Sequence, residues 1–176
     1  MEGSQCYIGV PNGVVLCVDT VVEYQLQGRF YHSYSREATK VHNTDELIFE
    51  LEQFFDEIRF PHPATNNRNF FDEKPGFVVP QERKKVMKDE ELLRKHGDMG
   101  TFIIRVQHRQ NSSWQGRITW ADKNKTVNFR SIWEMIKLIA GALDTVSTQE
   151  GGAAESTWAE ESDDFSGKEE GNDGNS

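Results

Sequence analysis

The sequence holds few of the features that announce chemistry. Its two cysteines, Cys6 and Cys17, sit in apolar strand-like runs and form none of the closely spaced Cys and His pairs that structural zinc prefers. They read as packing thiols in a reducing cytoplasm. No apolar stretch approaches the ~20 residues of a membrane span, and none follows a basic start. G-x-G-x-x-G and Walker patterns are missing, so a phosphate cradle would lack its glycine loop. Nucleophilic catalysis would need Cys6 or Cys17 activated by His32 or His42, and nothing supplies an oxyanion hole. A metal site would have to gather His32, His42 and His62. The adjacent carboxylates Asp163 and Asp164 fall in a segment where no acid–base geometry could be held. These absences point to a protein without a catalytic site, metal or cofactor.

What the chain does have is charge, unevenly spread. Its 176 residues carry a formal net charge of −9. Residues 1–80 hold 6 basic and 12 acidic groups, residues 81–143 hold 13 and 7, and residues 144–176 hold 1 and 10. A basic module therefore lies between two acidic ones.

Taken in order, residues 1–60 predict a β-rich module. Tyr7–Val10 and Val14–Val18 flank Pro11-Asn12-Gly13, a hairpin signal, because Asn-Gly tolerates the positive φ of a type I′ turn. A further strand is expected over Tyr24–Tyr34, broken near Gln27-Gly28. Asn43 or Thr44 then caps a helix of about 44–59, with Glu46 completing a capping box and Leu47, Ile48, Leu51, Phe54, Phe55 and Ile58 on one stripe. Pro61 and Pro63 stop it. Residues 61–99 read as a linker, with a polar surface helix expected over 81–96.

Residues 100–143 predict a βββα module. Phe102, Ile104, Val106, Ile118, Trp120, Val127 and Phe129 alternate onto one sheet face. Arg105, Gln107, Arg109, Gln115, Arg117, Thr119, Asn128 and Arg130 alternate onto the other. Ser131 and Glu134 make a second capping box, and Ile132, Met135, Ile136, Ile139 and Leu143 form the helix stripe. The fold class expected is α+β, built of two small modules, each an antiparallel meander covered on one face by an amphipathic helix. Both modules carry Gln-Gly-Arg (27–29 and 115–117), which suggests an internal duplication. A module of 44 residues is marginal alone, so the halves pack together or the protein forms a homodimer. Residues 144–176 predict a disordered acidic tail.

Arg109-Gln-Asn-Ser-Ser-Trp-Gln-Gly116, Trp120, Phe129-Arg-Ser131, Glu134 and Leu138-Ile139-Ala-Gly-Ala-Leu143 together resemble a short module of bacterial proteins of unknown function, mainly from anaerobic Firmicutes. The N-terminal Phe30-Tyr-His-Ser-Tyr34, Phe54-Phe-Asp56 and Phe60-Pro-His-Pro63 look like segments of the same proteins. The resemblance implies a bacterial cytoplasmic protein and brings no activity or site residues.

Function is expected in two forms. The first is a non-enzymatic cytoplasmic module that presents sheet faces and its tail to a protein partner, away from membranes. The second is a nucleic-acid or polyanion-binding regulator that uses Arg105, Arg109, Arg117, Arg130 and Lys125, with Trp114 near the strand start in reach of a base. Trp158 and Phe165, set among acidic residues, are candidate anchors by which the tail could dock on the arginine face; the alternative is a tail that serves as a solvated spacer.

Overall fold

The computed structural model describes residues 6–64, 68, 70–71 and 83–150. The strands are β1 (Val14–Val22), β2 (Gln25–His32), β3 (Thr39–Val41), β4 (Gly100–His108), β5 (Gln115–Trp120) and β6 (Lys125–Phe129). They form one antiparallel sheet in the order β3-β2-β1-β4-β5-β6. Helices α1 (Thr44–Ile58) and α3 (Ile132–Glu150) lie on the same face, and α2 (Asp89–Leu92) is a single turn. The fold is α+β, as alternating strands and amphipathic helices require.

The main core lies between sheet and helices. Val14, Leu16, Val18, Phe30, Phe102, Ile104, Val106, Ile118 and Phe129 meet Leu47, Leu51, Phe54 and Phe55 of α1 and Met135, Ile139 and Leu143 of α3. Both halves of the chain contribute to it, joined through the β1–β4 pairing. The two long helices, α1 and α3, each start with a reciprocal cap. Asn43 accepts the Glu46 N–H at 2.7 Å, and the Glu46 carboxylate accepts the His42 N–H at 2.7 Å. Ser131 accepts the Glu134 N–H at 3.0 Å, and the Glu134 carboxylate accepts the Arg130 N–H at 2.6 Å. These bonds satisfy donors that the first helical turn leaves open.

The registers repeat at one spacing. Leu16 faces Phe30 as Ile104 faces Ile118, and Gly28 faces Val41 as Gly116 faces Phe129. Each pair lies 88 positions after its counterpart (104 − 16, 118 − 30, 116 − 28, 129 − 41). The hairpin turns follow suit: Glu23-Tyr24 and Asn111-Ser112 all have positive φ, between 50° and 64°. So do the register shifts, at Val18/Thr20 and Val106/His108, and the caps Asn43 and Ser131. Val15 pairs with Ile103, itself 88 positions on (103 − 15), which puts an approximate two-fold axis through the middle of the sheet.

The second sheet face departs from expectation. Residues 7–10 form no strand, because both edges of β1 are already occupied by β2 and β4. Asn12 is instead buried and donates its side-chain amide to the Val106 carbonyl at 2.7 Å, holding the N-terminal segment across the sheet. The expected polar helix over 81–96 shrinks to α2 within residues 83–96, and this segment is not a surface connector. The Val86 and Met87 N–H groups bond Ser33 O, and Met87 and Leu92 join Ile8 over Val15, Cys17 and Ile103. The central strands are apolar on both faces, and these two segments cover the second. The strand expected over Tyr24–Tyr34 is unbroken as β2, since the irregularity opposite Gly28 falls in β1. At the other end α3 runs seven residues beyond Leu143, and residues 151–176, with Trp158 and Phe165, lie outside the described residues.

Candidate functional site: paired clefts and an edge groove

The five residues of the expected basic face are distributed over three places. Arg105 does project to the second face but is only 8% exposed. It donates to Thr119 Oγ1 at 2.9 Å and to the Tyr7 carbonyl at 3.2 Å, and its guanidinium stacks 5.4 Å from the Tyr7 ring. Arg117, its cross-strand neighbour, stays exposed. Arg109 lies on the helix side, 5% exposed, because the register shift between Val106 and His108 reverses the alternation after Val106. Trp114 is buried beside it at 2%. Arg130 is exposed at the start of α3 and pairs with Glu134. No continuous four-arginine surface results.

Arg109 and Trp114 instead build a network with α1. Arg109 Nη2 donates to Glu52 Oε1 at 2.5 Å and Asp56 Oδ1 at 2.6 Å, and Nη1 to the Pro61 carbonyl at 3.3 Å. Trp114 Nε1 donates to Glu52 Oε2 at 2.5 Å. The network floors a cleft of about 190 Å³ that also takes in Ile48, Ser112 and Ile132. The equivalent place in the other half is a cleft of about 240 Å³ with Val21, Tyr24, Leu26, Thr44, Ile136 and Ala140. Six positions of one cleft map onto six of the other at the same 88-residue spacing (109 − 21, 112 − 24, 114 − 26, 132 − 44, 136 − 48, 140 − 52). One member of the pair is built on an internally bonded arginine; the other has Val21 and Ala140 at the positions of Arg109 and Glu52, with Thr44, Asp144 and Ser147 as its polar lining.

A third cavity, of about 300 Å³, lies between edge strand β6 and α3. Phe102, Ile118, Trp120 and Val127 line its sheet side, and Leu138, Gly141, Ala142 and Thr145 its helix side. Lys125 and Lys137 are the charged residues lining it. β6 is the last strand of the sheet, and its residues Lys125–Asn128 are all exposed. Among the described residues the outer edge of β6 is unpaired, and a five-residue edge without proline is a template for a further strand. Sequence reasoning missed this groove. Its signal was the small pair Gly141-Ala142 on α3, at the positions equivalent to Gln53-Phe54 of α1.

The equivalent space in the first half is filled. There Phe54 stacks on His32 with ring centroids 4.2 Å apart, and Tyr34 packs at 6.2 Å from both. His32 Nδ1 accepts the Tyr34 N–H at 3.2 Å, which leaves that nitrogen unprotonated. Burial, with the Arg83 charge acting the same way and Glu57 against it, pushes the His32 pKa from 6.5 down to about 4. The folded chain keeps the ring neutral while the unfolded chain protonates it below ~6.5. Stability is therefore complete above that pH and falls as pH drops towards about 4. The whole depression corresponds to ~3 kcal/mol, of which about 2 kcal/mol is expected to be lost by about pH 4.5. Urea unfolding of the native chain and of His32→Phe should diverge by that amount between pH 7 and about 4.5; parallel profiles would mean the ring protonates without cost.

The thiol and imidazole candidates do not assemble. Cys17 is buried on the second face, where burial raises its pKa to about 11, so it stays a thiol at neutral pH. His32 stacks on Phe54 on the helix side. Cys6 bonds Asn124, His42 pairs with Glu46, and His62 follows the cis Phe60–Pro61 bond. Among the described residues, no three His, Cys, Asp or Glu side chains gather as metal ligands, and no helix is long and apolar enough to cross a membrane. No family model, curated protein or solved structure matches the chain.

Proposed function

We propose that the protein is a non-enzymatic interaction module whose working surface is the groove between β6 and α3. An extended segment of a protein partner pairs with β6, inserts an aromatic side chain against Trp120 and Ala142, and sets carboxylates against Lys125 and Lys137. Strand addition supplies main-chain bonds, and the pocket supplies selectivity. One observation carries this reading: the place that Phe54 fills in the first half is open in the second, beside an exposed sheet edge. The unbroken 88-residue spacing supports a duplicated β-β-β-α unit, in which one copy stayed closed and the other opened. The free cysteines suit a reducing compartment such as the cytoplasm.

The nucleic-acid alternative loses its platform, since Arg105 and Arg109 are buried. It is left with Arg117, Arg130 and Lys125, and the exposed ring nearest Arg130, Trp133, belongs to α3 and not to the sheet face.

The test is peptide display against the chain ended after Glu150, which keeps every buried core residue from Ile8 to Leu143. Selected peptides should carry an aromatic residue flanked by acids. Ala142→Phe copies the filled half, and should keep the fold while weakening binding at least tenfold. Equal binding to Ala142→Phe would remove the groove from consideration.

A further inference from the structure

Resting on that reading of the groove, we infer that its resident ligand is the chain's own segment Glu155–Asp164, with Trp158 in the pocket and Glu160 facing Lys125 and Lys137. The protein would then be self-occluded until a competing segment displaces its tail.

Three observations converge. The first is shape. The pocket is the counterpart of a site that holds a phenylalanine ring, and Gly141 meets no atom within 4 Å of where a Cβ would stand, so a larger ring has room. The second is charge. The lining charges are both lysines, and the segment around Trp158 carries Glu155, Glu160, Glu161, Asp163 and Asp164 with no basic residue until Lys168. The third is reach. The described chain ends at Glu150, at the C-terminal end of the helix that forms one wall. From there back to Gly141 is ~14 Å along the helix, whereas the eight steps to Trp158 span up to ~26 Å extended. A tethered segment of this length meets the groove at an effective concentration of the order of millimolar, so weak intrinsic affinity suffices for occupancy.

The segment also offers the right alternation. With Trp158 turned into the pocket, Glu160 falls on the same side of an added strand, and Ala159 and Glu161 on the other. An edge that pairs with its own tail is also shielded from aggregation, the usual hazard of an exposed β6.

The experiment is zero-length carbodiimide cross-linking of the full chain at low concentration, read by peptide mass spectrometry. Intramolecular links from Lys125 or Lys137 to Glu160 are expected. They should fall at least fivefold in Trp158→Ala and in Ala142→Phe, whose folds are checked by circular dichroism. Links unaffected by both variants, or links found only between two chains, would overturn the inference. If these links are absent but the chain ended at Glu150 still selects acidic aromatic peptides, the groove reading stands and the tail is not its ligand. If both fail, the groove reading falls as well.

Discussion

Replacing Arg109 by valine, the residue found at the equivalent Val21, should cost about 3 kcal/mol and lower the melting temperature by roughly 6–12 °C. The guanidinium is 5% exposed and bridges Glu52 and Asp56 while also holding the Pro61 carbonyl. Removing it leaves two carboxylates facing each other over a part-buried cleft. Losing one partner of a buried pair costs about 3–5 kcal/mol. The lower end applies here, because the Glu52 and Asp56 side chains keep 30% and 60% of their exposure and so remain partly hydrated. Glu52→Ala should cost a similar amount, since it strips an acceptor from both Arg109 and Trp114. The double variant Arg109→Val/Glu52→Ala brings this cleft towards its counterpart at Val21 and Ala140. It should therefore cost about 4 kcal/mol rather than the roughly 6 kcal/mol of the summed single changes, a coupling of about 2 kcal/mol. Strict additivity in urea unfolding would show that Arg109 and Glu52 contribute independently and not as a coupled pair.

That cluster also marks where the sequence stopped being readable. Alternation placed Phe102, Ile104, Val106, Ile118 and Phe129 under the helices, and they are there. The same rule put Arg109 on the opposite face, because parity counting has no means of seeing a bulge. The shift between Val106 and His108 adds one position, and every side chain after it changes side. The burial of Trp114 is hidden for a related reason, since its ring packs edge-on to Phe55 and its N–H bonds Glu52, both on a helix far away in sequence. The helices were legible because capping boxes and stripes are local signals. The second face was not. Whether an apolar run such as Val14–Val18 needs one covering layer or two depends on its neighbours in the sheet, and the covering residues Ile8, Met87 and Leu92 lie in stretches with no periodicity of their own. The groove was hidden because it is an omission, legible only once Ala142 is laid over Phe54.

Gly28→Ala and Gly116→Ala should each destabilise the fold by about 3 kcal/mol or more, and by amounts within about 1 kcal/mol of one another. A Cβ at Gly28 would sit 2.0 Å from the Cys17 carbonyl oxygen, and one at Gly116 would sit 2.1 Å from that of Arg105. Neither glycine has a positive φ, so the obstacle is space rather than backbone conformation. In both cases the opposing atom is main chain of a central strand, which cannot rotate aside as a side chain would. Relief requires β1 to part from β2, or β4 from β5, at the point where each strand already bulges. The ladder bonds next to the bulge, and the packing of Leu16 or Ile104 behind it, would be disturbed together. Gly141→Ala is the control. It lies in a helix interior with open space around its Cα, and alanine there should stabilise by about 1 kcal/mol through backbone entropy and helix propensity. Thermal and urea unfolding of the three variants decide the matter. Similar losses at Gly28 and Gly116 would mean that both hairpins need close main-chain approach at matching points. A tolerated alanine at either site would mean that this bulge can open without loss, and that the two halves no longer share the constraint.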